Sequence, residues 1–554
     1  MVRRLHKFQW TKARVSPYLL ARNFQQMDAV LTIYPGDGLK RARRLAALGF
    51  SVALAACADG GLGTESGYDA PREMFVSGYE KIEAVYIKEV NLGDLAVAGL
   101  TQVASLDPTI AVARESDKVE LKVDGKDKVG FTAPAQGDAD GWGNLTADML
   151  QAARAVSPQL TAKPNEDVYD AFFTGALAKL DGFSRYSTAA EAAENRATRE
   201  GFGGIGVRVA VEDKVVRVIS VMHYTPAEHV GLKADDVITA VDGKPVAGLQ
   251  QDQVIDMLRG PDDSHVKITV VRGGGTPFVV DITRAHIVPE TVTYERKGNV
   301  AYLRVYGFNL DTADSLRKEM LHAQQDIGSG LKGYIMDLRG NPGGLLDQSV
   351  EVADLFISHG RIVSTHGRHP DSHQYFEATA GDLADGRPVV VLVNGDSASA
   401  AEIVAAALQD SGRAVVVGSN SYGKGTVQTV LRMPNDGELT LTWARYHAPS
   451  GYTVNHLGVL PSVCTTTEDS KQLLDDIRTG RLKPLPTGQR NATDPEDTAA
   501  LNKLRSTCPE RRGEEPIDEQ VAIELLTHPS EYNRAVHLAD LPGQSGPAVS
   551  QAQP

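Results

Sequence analysis

Apolar side chains recur at helical spacing early in the chain. Phe75, Tyr79, Ile82 and the Val85-Tyr86 pair mark one face of a helix. The period then shortens to two. Val119 to Phe131 alternates around Asp124-Gly125, which signals a hairpin. Asp167 to Ser184 returns to the helical period, so residues 72–201 read as a mainly helical region. Across 202–287 strands take over: Gly204 to Val209, Val215 to Val221, Val237 to Val241 before an Asp242-Gly243 turn, Lys267 to Arg272, and Phe278 to Ile282. Thr225 to Val237 reads as a short helix entering the third of these. From 288 to 465 apolar strands (Tyr302–Val305, Gly333–Leu338, Val389–Val393, Ala414–Gly418) alternate with helices (Ser349–Ile357, Ala400–Leu408), the signature of an α/β core. Residues 466–541 predict a smaller helical region. Residues 542–554 are rich in Gly, Pro, Ser and Gln and predict disorder. No tandem repeat is evident.

The first 56 residues read differently. Lys40, Arg41, Arg43 and Arg44 precede a mainly apolar run from Leu45 to Ala56. That run is too short to span a bilayer as a stable helix and has the form of a secretory signal. Its end, Leu54-Ala55-Ala56-Cys57, looks like a bacterial lipobox, which implies cleavage and lipidation at Cys57. Ala53-x-Ala55 also suits ordinary signal cleavage, and a buried core segment is the bland alternative. The basic stretch begins well inside the chain, so Met27 is a second candidate start. Residues 57–71 contain Asp59-Gly-Gly-Leu-Gly-Thr-Glu-Ser-Gly and read as a flexible tether.

Charge and cysteine content narrow the field. The 554-residue chain carries a net −14, and a product beginning at Cys57 would hold 47 basic and 69 acidic residues, or −22. Such a surface disfavours nucleic acid as a partner. Three cysteines exclude a disulfide scaffold. Outside the cytoplasm Cys464 and Cys508 are able to bridge the core to the C-terminal region, and two independent buried thiols are the other reading. His369 and His373 have the i, i+4 spacing of zinc ligands, with His366 nearby. Pro370 and Asp371 break that helix, so the three histidines read as a polar loop and no metal is expected.

The chemistry lies in three stretches. Asp396-Ser-Ala-Ser-Ala-Ala-Glu402 places Ser399 at a helix start, where Ser399-Ala-Ala-Glu402 also fits a simple capping box. Tyr422-Gly-Lys-Gly-Thr-Val-Gln428 places Lys424 between two glycines on an expected strand, with Thr426 and Gln428 on its face. A lysine on a core-directed face loses its proton readily, and a neutral amine can serve as general base to a serine. Gln428 is suited to hold that amine without favouring the ammonium. Asn341-Pro-Gly-Gly344 follows a strand and supplies candidate oxyanion donors at Gly343 and then Gly344, with Ala400 N–H at the helix start as the other. No Gly-x-Ser-x-Gly elbow competes, and His447 and His456 are not expected to be catalytic.

Together with Asp337-Leu-Arg-Gly-Asn-Pro-Gly-Gly344, these stretches resemble the active centre of the C-terminal processing (tail-specific) serine peptidases. The likeness covers roughly residues 165–465. It implies a multidomain α/β + β protein: a crotonase/ClpP-like α/β peptidase core at 288–465, an inserted, circularly permuted PDZ domain at 202–287, and helical N- and C-terminal regions. It implies a serine-type endopeptidase with a Ser399/Lys424 dyad, no cofactor, and Asp410 as a supporting residue near the site. The Gly204-Ile205-Gly206-Val207 loop matches the PDZ carboxylate loop, which implies protein substrates with exposed apolar C-termini. An activating adaptor protein, homo-oligomerisation, and a periplasm-facing, lipid-anchored place in the bacterial envelope are further expectations. The alternatives are a non-catalytic PDZ adaptor lipoprotein, and a crotonase-like acyl-CoA enzyme, against which the signal sequence speaks. One departure is Ser462, where the family usually has aspartate after the proline.

Overall fold

The computed structural model describes residues 70–536, apart from 380, 468, 484, 486–489 and 492. The signal region, Met27, Cys57 and the tail after 541 lie outside the described residues. Helical structure begins at Ala70, slightly inside the expected tether.

Helices Ala70–Val85, Leu92–Ala104, Ala139–Val156 and Asn165–Leu177 form the N-terminal region, as their apolar spacing requires. Phe75, Tyr79, Phe172, Phe173 and Trp142 fill their common core. Gly99 makes the close crossing possible, because a Cβ there would stand 2.4 Å from the Phe172 ring. The expected hairpin is present, with Asp124 and Gly125 both at positive φ, and a third strand, Ile110–Glu115, joins its Lys118–Val123 arm.

The strand-rich region forms one antiparallel sheet. Its order is Phe278–Thr283, His265–Val271, Val237–Val241, Val215–Val221, Val207–Glu212. Val207–Glu212 is the edge strand and helix Gln251–Leu258 lies beside it. Gly204 belongs to a separate short strand, Phe202–Gly204, paired with Ala285–Ile287. The expected helix is confined to Pro226–His229.

The core sheet runs Val292–Lys297, Val300–Val305, Gly333–Asp337, Val389–Val393, Val415–Gly418, Val463–Cys464, parallel after its first pair. Both faces are covered, which is why its central strands are apolar without alternation. Helices Thr312–Ile327, Leu346–Asp354 and Ala400–Asp410 cover one face. The C-terminal helices Ser470–Arg478, Pro516–Thr527 and Pro529–Val536 cover the other through Leu473, Ile477, Val521, Leu525 and Tyr532. A second sheet joins Gln374–Glu377, Arg361–Gly367, Glu438–His447 and Thr426–Arg432, and Arg185–Ser187 from the N-terminal region pairs with Glu438–Thr440. Among the described residues no helix is long and apolar enough to cross a membrane.

Candidate active site

Strand Val389–Val393 delivers the chain to a tight turn before Ser399. Asn394 N–H donates to Ser397 Oγ at 2.9 Å, and Ser397 Oγ donates to Leu338 O at 2.8 Å. Ser397 is therefore structural. Ser399 takes φ 56° and ψ −115°, a left-handed conformation that a serine adopts only where its surroundings impose it. Ser399 and Glu402 form the capping box that their spacing predicts, at the start of helix Ala400–Asp410.

Glu402, one turn on, is fully buried and organises the site. Its Oε2 accepts from Ser399 N at 2.8 Å and from Lys424 N at 2.9 Å. Its Oε1 accepts from Gly423 N at 2.7 Å and Ser421 Oγ at 2.5 Å. The backbones of the serine and the lysine thus flank a single oxygen atom. Burial pushes the Glu402 carboxyl up, and the bonds from Ser421, Gly423, Ser399 and Lys424 oppose it by favouring the ionised form. The capping-box reading accounted for one of these four bonds and gave no hint of the other three.

Lys424 lies in an extended loop, not on the strand, which begins at Thr426. Gly425 lies close against Asn455 N, where a Cβ would stand 2.3 Å away, and its O accepts Tyr446 N at 3.1 Å just before the ladder begins. Tyr422 N donates to Ser397 O at 3.0 Å and His456 N to Gly423 O at 2.9 Å, fixing the loop to the serine turn. The Lys424 side chain is mostly buried. Desolvation, and after it the charge of Arg185, lowers its pKa, while Glu402 and Asp181 act in the opposite sense. Its Nζ rests 5.1 Å from the centroid of the Phe183 ring. No hydrogen bond joins it to Ser399 Oγ among the described residues.

Three expectations are corrected. Gln428 does not hold the amine: its Nε2 donates to Thr426 Oγ1 at 2.9 Å and Thr442 Oγ1 at 3.2 Å, because a bulge at Val427/Gln428 turns it toward the neighbouring strand. Gly343 N–H is committed to Asn341 Oδ1 at 2.8 Å across Pro342. The backbone N–H groups of Gly344 and Ala400 make no such bond among the described residues, so they are the open donors. Asp410 lies at the far end of the serine helix, about 16 Å along its axis from Ser399. There it pairs with Arg490 and accepts Ser450 N at 3.0 Å.

Gly343 has its own role. With φ 99°, it places the bare backbone where a Cβ would stand 2.8 Å from Ser399 Cβ and 3.0 Å from Ala400 N. In the sheet of residues 207–283, Ile205 O accepts from Ala227 N and Gly206 O from Met222 N, which shapes the Gly204–Val207 turn at the head of the edge strand. The sulfurs of Cys464 and Cys508 are bonded in the structure. His366 lies on a strand, not in a loop, with its ring against His373 and His447. His369 accepts Asp371 N in a short 3-10 turn.

A PDZ-like sheet beside an α/β core, with a serine at a strained helix start, defines a serine peptidase with a peptide-binding module. The model of peptidase family S41 matches residues 299–464, and that of the PDZ domain residues 195–271. The chain is 39% identical over 313 residues to a carboxy-terminal-processing protease of Bartonella bacilliformis, covering 56% of this chain and 72% of that one. It is 34% identical over 295 residues to a "Probable CtpA-like serine protease" of Staphylococcus haemolyticus, covering 53% and 59%. A solved photosystem II D1 C-terminal processing protease aligns at 25% identity and TM-score 0.37, over 71% of this chain and 92% of that one. The chain belongs to peptidase family S41, with the carboxy-terminal-processing serine proteases.

Proposed function

We propose that this protein is an endopeptidase with a Ser399/Lys424 dyad that cleaves proteins presented by their C-terminal tails. The observation that carries the reading is the Glu402 carboxylate, which binds the backbone N–H groups of both residues through one oxygen. In the reaction, Ser399 Oγ attacks the peptide carbonyl as its proton passes to the neutral Lys424 amine. The N–H groups of Ala400 and Gly344 receive the developing oxyanion. The Lys424 ammonium then protonates the leaving amine, and water hydrolyses the acyl-enzyme. Lys424 leaves the Phe183 ring to do this.

The Gly204–Val207 turn and the edge strand Val207–Glu212 suit a tail that adds as a further strand, its carboxylate held by backbone N–H groups. The lipobox-like Leu54–Cys57 supports a lipid-anchored, periplasm-facing location, and an activating adaptor and homo-oligomer remain part of the proposal. Expected outcomes are that Ser399→Ala and Lys424→Ala each abolish cleavage of an apolar-tailed protein while the melting temperature is kept. Retained proteolysis in either purified variant refutes the dyad. A second reading, a tail-holding adaptor, draws on the Lys424 amine lying on Phe183 instead of the serine. Covalent labelling of Ser399 by a fluorophosphonate separates the two, since an adaptor stays unlabelled.

A further inference from the structure

Phe183 lies outside the residues matched by either family model. It sits on a tight loop that follows helix Asn165–Leu177 of the N-terminal region. Asp181 Oδ1 accepts Phe183 N at 2.8 Å and Ser184 N at 2.7 Å, and Tyr86 Oη donates to Asp181 Oδ2 at 3.2 Å. Ser184 Oγ accepts Thr442 N at 3.2 Å, and Thr442 Oγ1 accepts Gln428 Nε2. The loop is therefore built into the peptidase core from the N-terminal side, and its one aromatic face meets the Lys424 amine at 5.1 Å.

We propose that Phe183 is a positioning residue for Lys424: its ring holds the protonated side chain in a partly buried position, out of hydrogen-bonding contact with Ser399, and releases it when the amine is neutral. The inference rests on the dyad reading. An aromatic face attracts an ammonium through its quadrupole and has no such hold on a neutral amine. The ring also fills space that water would otherwise occupy, which disfavours the charged form. The two effects act on opposite protonation states, so substitutions at this position separate them. The charged groups facing the amine are Arg185 and Asp181 from the same N-terminal segment and Glu402 from the serine helix.

The test measures the rate of Ser399 labelling by a fluorophosphonate across the acid to alkaline range, on the full chain. Phe183→Ala admits water, so labelling at neutral pH falls about tenfold and recovers at higher pH. Phe183→Trp strengthens the hold on the ammonium and moves the acidic limb the same way. Phe183→Leu keeps most of the apolar cover without an aromatic face and moves that limb to lower pH. Opposite movement of the Leu and Trp limbs supports the proposal, and unmoved limbs with only lower amplitudes overturn it. Should the alanine variant fail to fold, the leucine and tryptophan variants, which fill the space, carry the comparison. Lys424→Ala is the control for the underlying reading: if it labels like wild type, the dyad itself fails, whereas loss of labelling there with unmoved Phe183 limbs removes Phe183 alone.

Discussion

Glu402→Gln and Glu402→Ala measure how much of the site depends on one carboxylate. Glutamine keeps one carbonyl oxygen and places an amide NH2 at the other position. If the NH2 replaces Oε2, it meets the N–H groups of both Ser399 and Lys424, and two backbone donors are left buried without acceptors. At about 1–3 kcal/mol for each orphaned donor, that orientation costs about 2–6 kcal/mol. If the NH2 replaces Oε1, it meets Gly423 N and Ser421 Oγ. The Ser421 hydroxyl already accepts Val459 N at 2.6 Å and has a second lone pair to offer the amide. Gly423 N–H is then orphaned for about 1–3 kcal/mol, and the Ser421 O–H, which also loses its carboxylate acceptor, can rotate toward another where a backbone donor cannot. The second orientation wins and preserves the bonds to Ser399 and Lys424. Alanine preserves none, orphans three backbone donors, and leaves the lysine loop tied to the serine turn by the Tyr422–Ser397 bond without the carboxylate, where a displacement near 1 Å costs about 100-fold in rate. The expected order in both melting temperature and kcat/KM is wild type, then Gln, then Ala, with Ala at least about 100-fold down in rate. Thermal melts and cleavage of an apolar-tailed protein read it out. A glutamine variant worse than alanine, or an alanine variant near wild type, refutes the argument that this carboxylate aligns the two residues.

Gly343→Ala forces a Cβ to within 2.8 Å of the Ser399 side chain at a φ of 99°, so kcat should fall about 100-fold or more with KM less affected, measured by steady-state cleavage. Because burial lowers the Lys424 pKa and only the neutral amine accepts the serine proton, kcat/KM should fall as pH drops through that pKa. Lys424→Arg, whose guanidinium stays protonated, should be inactive at every pH in the same assay. The Cys464–Cys508 bridge closes a separation of 44 residues, and the chain-entropy view gives it about 4 kcal/mol. Reduction should lower the melting temperature, and non-reducing mass spectrometry should find the oxidised chain lighter by two hydrogens.

The sequence carried the elements whose causes are local. Apolar runs at Val389–Val393 and Gly333–Asp337 are buried on both faces, and their lack of alternation said so in advance. Period-two reading could not show that the ladder begins only at Thr426, two residues after Lys424, because pairing with a distant strand decides that boundary. Two misplacements were open to simple reasoning. Asp410 stands 11 residues from Ser399 on a continuous helix, and helix rise alone puts it out of reach. Asn341, two residues before Gly343, has the spacing at which an asparagine side chain captures a backbone N–H. The remaining features were invisible for a different reason. Glu402 reaches Gly423 and Lys424 across a strand and two turns, and Phe183 meets Lys424 from a region separated by the whole PDZ-like sheet.

The C-terminal region shows the same limit. Arg511 O accepts Gly395 N at 2.9 Å, Gly513 O accepts Asn394 Nδ2 at 2.8 Å, and Glu515 O accepts Arg339 Nη1 at 3.0 Å. Arg505 Nη1 donates to Leu457 O at 2.9 Å beside the lysine loop. One segment thus braces the turns before Ser399, before the glycine pair, and beside Lys424, although it lies beyond the residues that carry the family motif. The motif supplies the candidate groups, Ser399 and Lys424. Their alignment depends on backbone carbonyls and buried charges contributed from both ends of the chain, and a carbonyl leaves no mark on the amino-acid sequence.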